Sequence, residues 1–334
     1  MKKLFCLFLG FFILLSLAIV PAMRAEAKEI KAALIMPGIH TDFGWNYVGF
    51  QALSNLKKAI PQVKRIGYTE LVGPPDLEKV LRDYQISGYN LVFVLGYQFK
   101  EGVDRVLKDK PKNFHVAIIE GSPADLIKDF CTYLAPMGNT ASYVLGVLAG
   151  GMTKTNKVGV LSGMESVDVL RNIAGYIPGV KSINPGAKVV HTVIGRWDDA
   201  PGGKQAANAM INSGIDVIYC MGDGTSIGVM EAVKEARGKG KRVFYIGYPA
   251  NQYETASNIV LSSIIYDWTE VFQKVAQDAL NGSFGRHGYD ITLGSGIDIA
   301  PFYQFEEEVP QKVKDAMSVA RQKIESGDLK VPLK

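Results

Sequence analysis

The chain has 334 residues, 47% of them apolar, with 37 basic against 33 acidic side chains for a net charge of +4. That length can fill two domains of ordinary size. A charge so near balance, with no basic stripe, excludes nucleic acid as the expected partner.

Lys2 and Lys3 open the sequence, residues 4–20 are almost unbroken apolar, and Ala25-Glu26-Ala27 follows with small residues two apart. This order predicts a secretory signal peptide over residues 1–27, cleaved after Ala27. An uncleaved anchor is the rival reading, because the run is near the spanning length. Cys6 precedes the run and cannot be the lipid-bearing Cys that follows a lipoprotein signal. Sec export to a periplasmic or secreted location is therefore expected. The remaining 307 residues carry a net charge of +2 and no second run of spanning length.

From there strand and helix signals alternate. Strands are expected over residues 30–36, 63–70, 91–95, 115–119 and 131–135, with helices over 49–59, 76–87 and 102–107. Apolar runs alternating with helical periodicity imply a parallel sheet covered on both faces. The pattern then restarts. A helix over 139–152 has Ala141, Gly146, Ala149 and Gly150 along one side. Strands at 158–161, 188–194, 217–220 and 242–246 alternate with helices at 166–176, 204–213 and 227–236. Right-handed crossovers make each half a doubly wound sheet. The end breaks the rhythm, with a strand at 259–266, a helix at 268–280, an extended Gly-rich stretch at 289–299 and a helix at 309–326. Two similar lobes with a chain that recrosses between them make a hinge and a cleft.

All three Trp stand at or beside strand ends: Trp45 after the first strand, Trp197 in the second half, Trp268 after the late strand. Ligands of open α/β sheets sit beyond the carboxyl ends of the strands. Trp45 and Trp197, from different lobes, could grip a flat ring between faces about 7 Å apart, each worth roughly 1 kcal/mol beyond area burial. The bland reading is that these rings cap hydrophobic edges, and Trp268 leans that way. Asp42, Asn46, Tyr97, Gln98, Glu120, Asp198, Asp223 and Tyr248 also lie at expected strand ends. Carboxylates there can accept from ring N–H groups, and an amide can both donate and accept. Asp42 and Asp198 fit equally well as helix N-caps. Arg171 is expected to pair with Asp168 or a surface neighbour.

Cys131 and Cys220 fall in apolar runs and are expected as two separate buried thiols. The four His show no metal-ligand spacing, and no metal or cofactor is expected. Gly224-Thr225-Ser226-Ile227-Gly228 fits G-x-S-x-G between a strand and a helix, with Asp267 and His287 as possible triad partners. The turn after Cys220 is too long for a tight nucleophile elbow, which leaves a secreted serine esterase as a minor alternative. Gly222, Gly224 and Gly228 miss the spacing of a dinucleotide loop, and there is no P-loop.

These residues together resemble the basic-membrane-protein (BMP, PnrA-like) solute-binding proteins of bacterial ABC transporters. Asp42-Phe43-Gly44-Trp45-Asn46-Tyr47 resembles the D-x-G-W-x-Y segment after the first strand, and Met152-Thr153-Lys154 with Asn156-Lys157 and Gly159 resembles its M-T-K-x-N-K-x-G segment. Val169, Arg171, Gly179 and Asn184-Pro185 follow its V-x-R…G…N-P pattern; Trp197-Asp198, Ile246-Gly247-Tyr248 and residues 263–268 match further on. The resemblance implies a type I periplasmic-binding-protein fold, two doubly wound lobes joined by a hinge. The lobes would be residues 28–136 plus 268–286 and residues 137–267 plus 287–334. It implies a monomeric, non-enzymatic protein that holds a purine nucleobase or nucleoside and delivers it to a membrane permease and ATPase. A ligand sensor would share the same fold. Ligand-binding positions implied or read are Asp42, Trp45, Asn46, Tyr97, Glu120, Trp197, Asp198, Asp223, Tyr248 and Tyr266. Pro249 and Tyr266 stand where nucleoside-binding members tend to carry Asp and Lys for the ribose, which leaves a nucleobase or another small aromatic or polar solute open.

Overall fold

The computed structural model describes residues 28–334, so the expected signal peptide lies outside the described residues. The first half is built from β1 (Ile30–Ile35), α1 (Trp45–Ala59), β2 (Val63–Thr69), α2 (Leu77–Ile86), β3 (Leu91–Leu95), α3 (Lys100–Leu107), β4 (His115–Ile119) and β5 (Cys131–Pro136). The second is built from α4 (Asn139–Met152), β6 (Lys157–Ser162), α5 (Val167–Ile183), β7 (Lys188–Val193), α6 (Ala200–Asn212), β8 (Val217–Met221), α7 (Thr225–Gly238), β9 (Phe244–Gly247) and β10 (Val260–Tyr266). The chain ends with α8 (Thr269–Asn281), β11 (Tyr289–Leu293), β12 (Gly296–Ile299) and α9 (Gln311–Glu325).

The strands run β2-β1-β3-β4-β5-β11-β12-β10-β9-β8-β6-β7 across one sheet. From either edge inward, each half has the same parallel order of second, first, third, fourth and fifth strand. That order places a topological switch point beside the first strand of each half, β1 and β6, where ligands of such sheets bind. Strands buried on both faces read as continuous apolar runs, and β3, β8 and β9 are buried throughout. Separate clusters pack beneath α2 and α3 and beneath α6 and α7. A larger one joins α1, α8, α4, α5 and α9 to the opposite face.

The chain passes between the halves three times. It leaves β5 for α4, which packs on α5 and α9; it leaves β10 for α8, which packs on α1; and it leaves β11 for β12. β11 lies parallel to β5 of the first half, although the expected division at residue 287 assigns it to the second. β12 is antiparallel to β10.

Expected strands match to within a residue or two, whereas several helices differ. α1 begins at Trp45, four residues early, because Asp42 accepts the amides of Gly44, Asn46 and Tyr47. α6 begins at Ala200 because Asp199 caps it through the Gly202 amide. α5 runs on to Ile183 although Pro178 lies inside it. An internal Pro costs about 3 kcal/mol, and here packing offsets it. Gly175 and Gly179 let α5 press on α4, where added Cβ atoms would come within 2.0 Å of the Asn139 and Tyr143 carbonyl oxygens. Cys131 and Cys220 are free and buried, as the sequence predicts.

Candidate functional site at the seam between the halves

The loop after β1 and the loop after β8 meet at the seam. Asp223, beyond the end of β8, accepts the backbone amide of Trp45 at 3.1 Å. The approach is close enough that a Cβ on Gly44 would sit 2.2 Å from Asp223 Oδ1. Burial, and then the nearby Asp42 charge, raise the Asp223 carboxyl above its ordinary range.

Asp42 and Asn46 organise this loop from within. Asn46 donates its amide to Asp42 Oδ2 at 2.6 Å, and its Oδ1 accepts the Gly38 amide at 3.2 Å. Asp42 thus serves the amides at the start of α1, though from two residues before the N-cap, which is Gly44. Trp45 is half-buried. Its ring meets Trp268 edge-on at 4.7 Å and Tyr266 at 6.3 Å. Trp268 itself is fully buried.

A second contact joins the end of β4 to the start of α5. Glu120 is 7% exposed and takes a left-handed backbone, φ 66°. Such a conformation is uncommon for a side chain longer than Asn or Asp. Its Oε1 accepts the Asp168 amide at 3.1 Å, and its Oε2 accepts the Tyr97 amide at 3.3 Å. Tyr97 contributes that amide while its ring is exposed. Burial raises the Glu120 carboxyl despite these two donors.

Behind Glu120 lies a polar cluster in the second half. Asp168 is 1% exposed and gathers the Tyr248 hydroxyl at 2.5 Å, the Tyr266 hydroxyl at 3.0 Å and the Asn172 amide at 2.9 Å. Asn172 in turn accepts from Ser142 at 2.5 Å and from Tyr219 at 3.2 Å. Burial first, and the Glu120 charge second, push the Asp168 carboxyl up to about 7. Arg171 does not form the expected pair with Asp168. Asp168 turns inward to the two tyrosines, and Arg171 donates to the Pro136 carbonyl at 3.3 Å.

Trp197 and Asp198 part company. The Trp197 ring packs over Gly163 beyond β6, where a Cβ would meet the ring at 2.5 Å, and its carbonyl accepts the Thr225 amide at 2.9 Å. Asp198 is exposed and pairs with Arg196 at 3.0 Å, a contact open to water and screened by it. The expected helix-cap role at this turn falls to its neighbour Asp199.

The structure therefore brings Trp45, Glu120, Asp223, Tyr248 and Tyr266 to the seam, with Asp42 and Asn46 supporting the first loop. The sequence offered Asp168 only as a partner for Arg171 and did not single out Asn172, Ser142 or Tyr219. An Asp in the first turn of a helix is routine, and its tyrosine partners lie 80 and 98 residues away.

Ser226 is 1% exposed and donates to the Gly222 carbonyl within its own turn. His287, at the start of β11, bonds the Tyr289 hydroxyl at 3.0 Å. These two members of a hypothetical triad sit in different halves. Among the described residues, no group of three or more His, Cys, Asp or Glu is placed to hold a metal ion. No described helix is long and apolar enough to cross a membrane.

Comparison with known proteins identifies the family and the fold. Residues 29–332 match the Bmp family, described as ABC transporter substrate-binding protein PnrA-like. The CD4+ T-cell-stimulating antigen of Listeria monocytogenes is 30% identical over 324 residues, which span 92% of this chain and 90% of that protein. The ABC transporter nucleoside-binding protein BmpA of Lactococcus lactis is 28% identical over 327 residues, with 92% and 90% coverage. In fold, a solute-binding protein of an ABC transporter system from Aeropyrum pernix superposes with a TM-score of 0.82 at 20% identity, covering 91% of this chain and 94% of that one. The architecture is the type I fold of periplasmic solute-binding proteins. On sequence and fold together, the chain belongs to the PnrA-like family of ABC transporter substrate-binding proteins, extracytoplasmic carriers of small solutes that work with a membrane permease and ATPase.

Proposed function

We propose that this protein captures a planar, purine-like solute between its two halves and releases it to the permease without altering it. The observation that carries this reading is the meeting of the two switch-point loops. Trp45 lies on one side, Asp223 and Trp197 belong to loops of the other, and Tyr248 and Tyr266 lie behind them. Aromatic faces hold a flat ring by stacking, and carboxylates accept from ring N–H and amino groups. The nucleoside-binding name of the Lactococcus relative supports the same class.

The charge at the seam narrows the class further. Asp42, Asp223, Glu120 and Asp168 gather there, with Arg171 as the nearby cation. An anionic guest would meet like charge in a partly desolvated space, so phosphorylated nucleotides should be rejected. Neutral or protonated heterocycles with N–H donors fit best. Pro249 and Tyr266 lack the charged groups that would hold a ribose, which favours the free base.

Calorimetric titration with nucleobases, nucleosides, nucleotides, hexoses and amino acids tests this reading. The expected order is nucleobase first and nucleotide last. Tight binding of a hexose or a nucleotide with no response to any base would overturn it.

A further inference from the structure

We propose that Glu120 and Asp223 form a reciprocal latch, in which a carboxylate of each half accepts the free amide at the N-terminus of the other half's helix. Solute capture by two closing halves underlies this idea, but the identity of the solute does not.

The first turn of any helix has amides with no partner inside the helix. In α1 these are shared out. Asp42 of the same half takes Asn46 and Tyr47, and Asp223 of the opposite half takes Trp45. In α5 the division repeats. Ser166 of the same half takes the Val169 amide at 3.2 Å, and Glu120 of the opposite half takes Asp168. The two bonds across the seam have the same length, 3.1 Å. The helix macrodipole favours an anion at each place. The arrangement is symmetric although the two carboxylates come from unrelated positions, the ends of β4 and β8.

Each bond also has a built-in opponent. Asp223 closes onto a helix start that already holds Asp42, and Glu120 closes onto one that holds Asp168. A contact with attraction and like-charge repulsion in the same place can be tuned near balance. That suits halves that must both hold and release. Gly44 is the matching steric device, since a side chain there would strike Asp223.

Amide hydrogen exchange on the mature chain, free of solute, tests the latch. Asp223→Ala should speed exchange at Trp45 by about tenfold or more. Because the halves part together, it should also speed exchange at Asp168, across the other bond. Glu120→Ala should give the mirror result. Tyr47 and Val169, held within their own halves, should keep their protection and so report that the fold is intact. Should either alanine variant fail to fold, Gly44→Ala leaves both carboxylates in place and must produce the same paired acceleration. Acceleration at Trp45 alone, with Asp168 unmoved, would overturn the latch, as would equal acceleration at Tyr47 and Val169. A failed titration with purines would leave these outcomes untouched, so the two readings fail separately.

Discussion

The contact between α4 and α5 and the seam between the halves both bring backbone close to a neighbour, by opposite means. Between α4 and α5 the means is the absence of side chains. Gly146, Gly150, Gly175 and Gly179 admit the facing backbone so closely that a Cβ would fall 2.0 to 2.7 Å from it. Interiors packed this closely tolerate no added volume. At the seam the means is polar. Two carboxylates reach two amides, and like charges stand beside each. The first kind of contact makes one rigid body out of two helices. The second, on the latch proposed above, holds the two halves together and lets them part.

This contrast can be broken from the rigid side first. Gly179→Ala puts a methyl group 2.0 Å from the Tyr143 carbonyl oxygen. A loss of about 3 kcal/mol is expected, at the upper end for an overpacked core, read by urea unfolding. On the seam, Trp45→Ala removes a half-buried indole from Trp268 and Tyr266. A smaller stability loss of about 1–2 kcal/mol is expected, below the full cost of a buried Trp. The same variant should lose at least roughly tenfold in affinity for a planar solute, matching one lost stacking face. If stability falls while affinity stays, Trp45 packs the seam and does not hold the guest.

The buried acid at the seam sharpens the comparison through pH. The Asp168 carboxyl ionises near 7 in the folded chain and near 3.8 when free of it. Between those values the folded state holds a proton that the unfolded state has lost, so stability falls as pH rises. The share of Asp168 in that slope is at most about 1.4 kcal/mol per pH unit, its full contribution being kept below the lower value. Asp168→Asn should remove that share over pH 4 to 7 and leave the share of Asp223, whose carboxyl burial also raises, as measured by unfolding at several pH values. An unchanged slope would place the titration elsewhere. The smallest effect is expected at the thiols. Burial pushes both Cys131 and Cys220 up to about 12. Alkylation of these two thiols at pH 8 should therefore be negligible in the folded chain and complete at both after denaturation.

Much of this arrangement was legible in the residues. Runs such as Leu91–Leu95 and Val217–Met221 are apolar because both faces of these strands are covered. Their alternation with helices showed two repeated halves and pointed to the loops after β1 and β8. Helix starts were harder to place, because Asp42 and Asp199 cap from the loop and pull the helix boundary back. The continuation of α5 through Pro178 depends on glycines facing another helix, which no local preference records. Least visible was the cluster around Asp168. Its tyrosine partners lie far along the chain, and a first-turn aspartate has an ordinary explanation ready. The same difficulty applies to Glu120 and Asp223, whose partners belong to the other half.

The three passages of chain between the halves have a bearing on how the molecule is made. Neither half is a continuous segment. The first lacks its α8 and β11 until synthesis has passed residue 293, and the second lacks β12 and α9 until later still. Domains usually fold as units in the order of their synthesis. Here neither unit can close early, because even the first waits for β11 and the second for α9, so maturation of both falls to the final stretch of polypeptide.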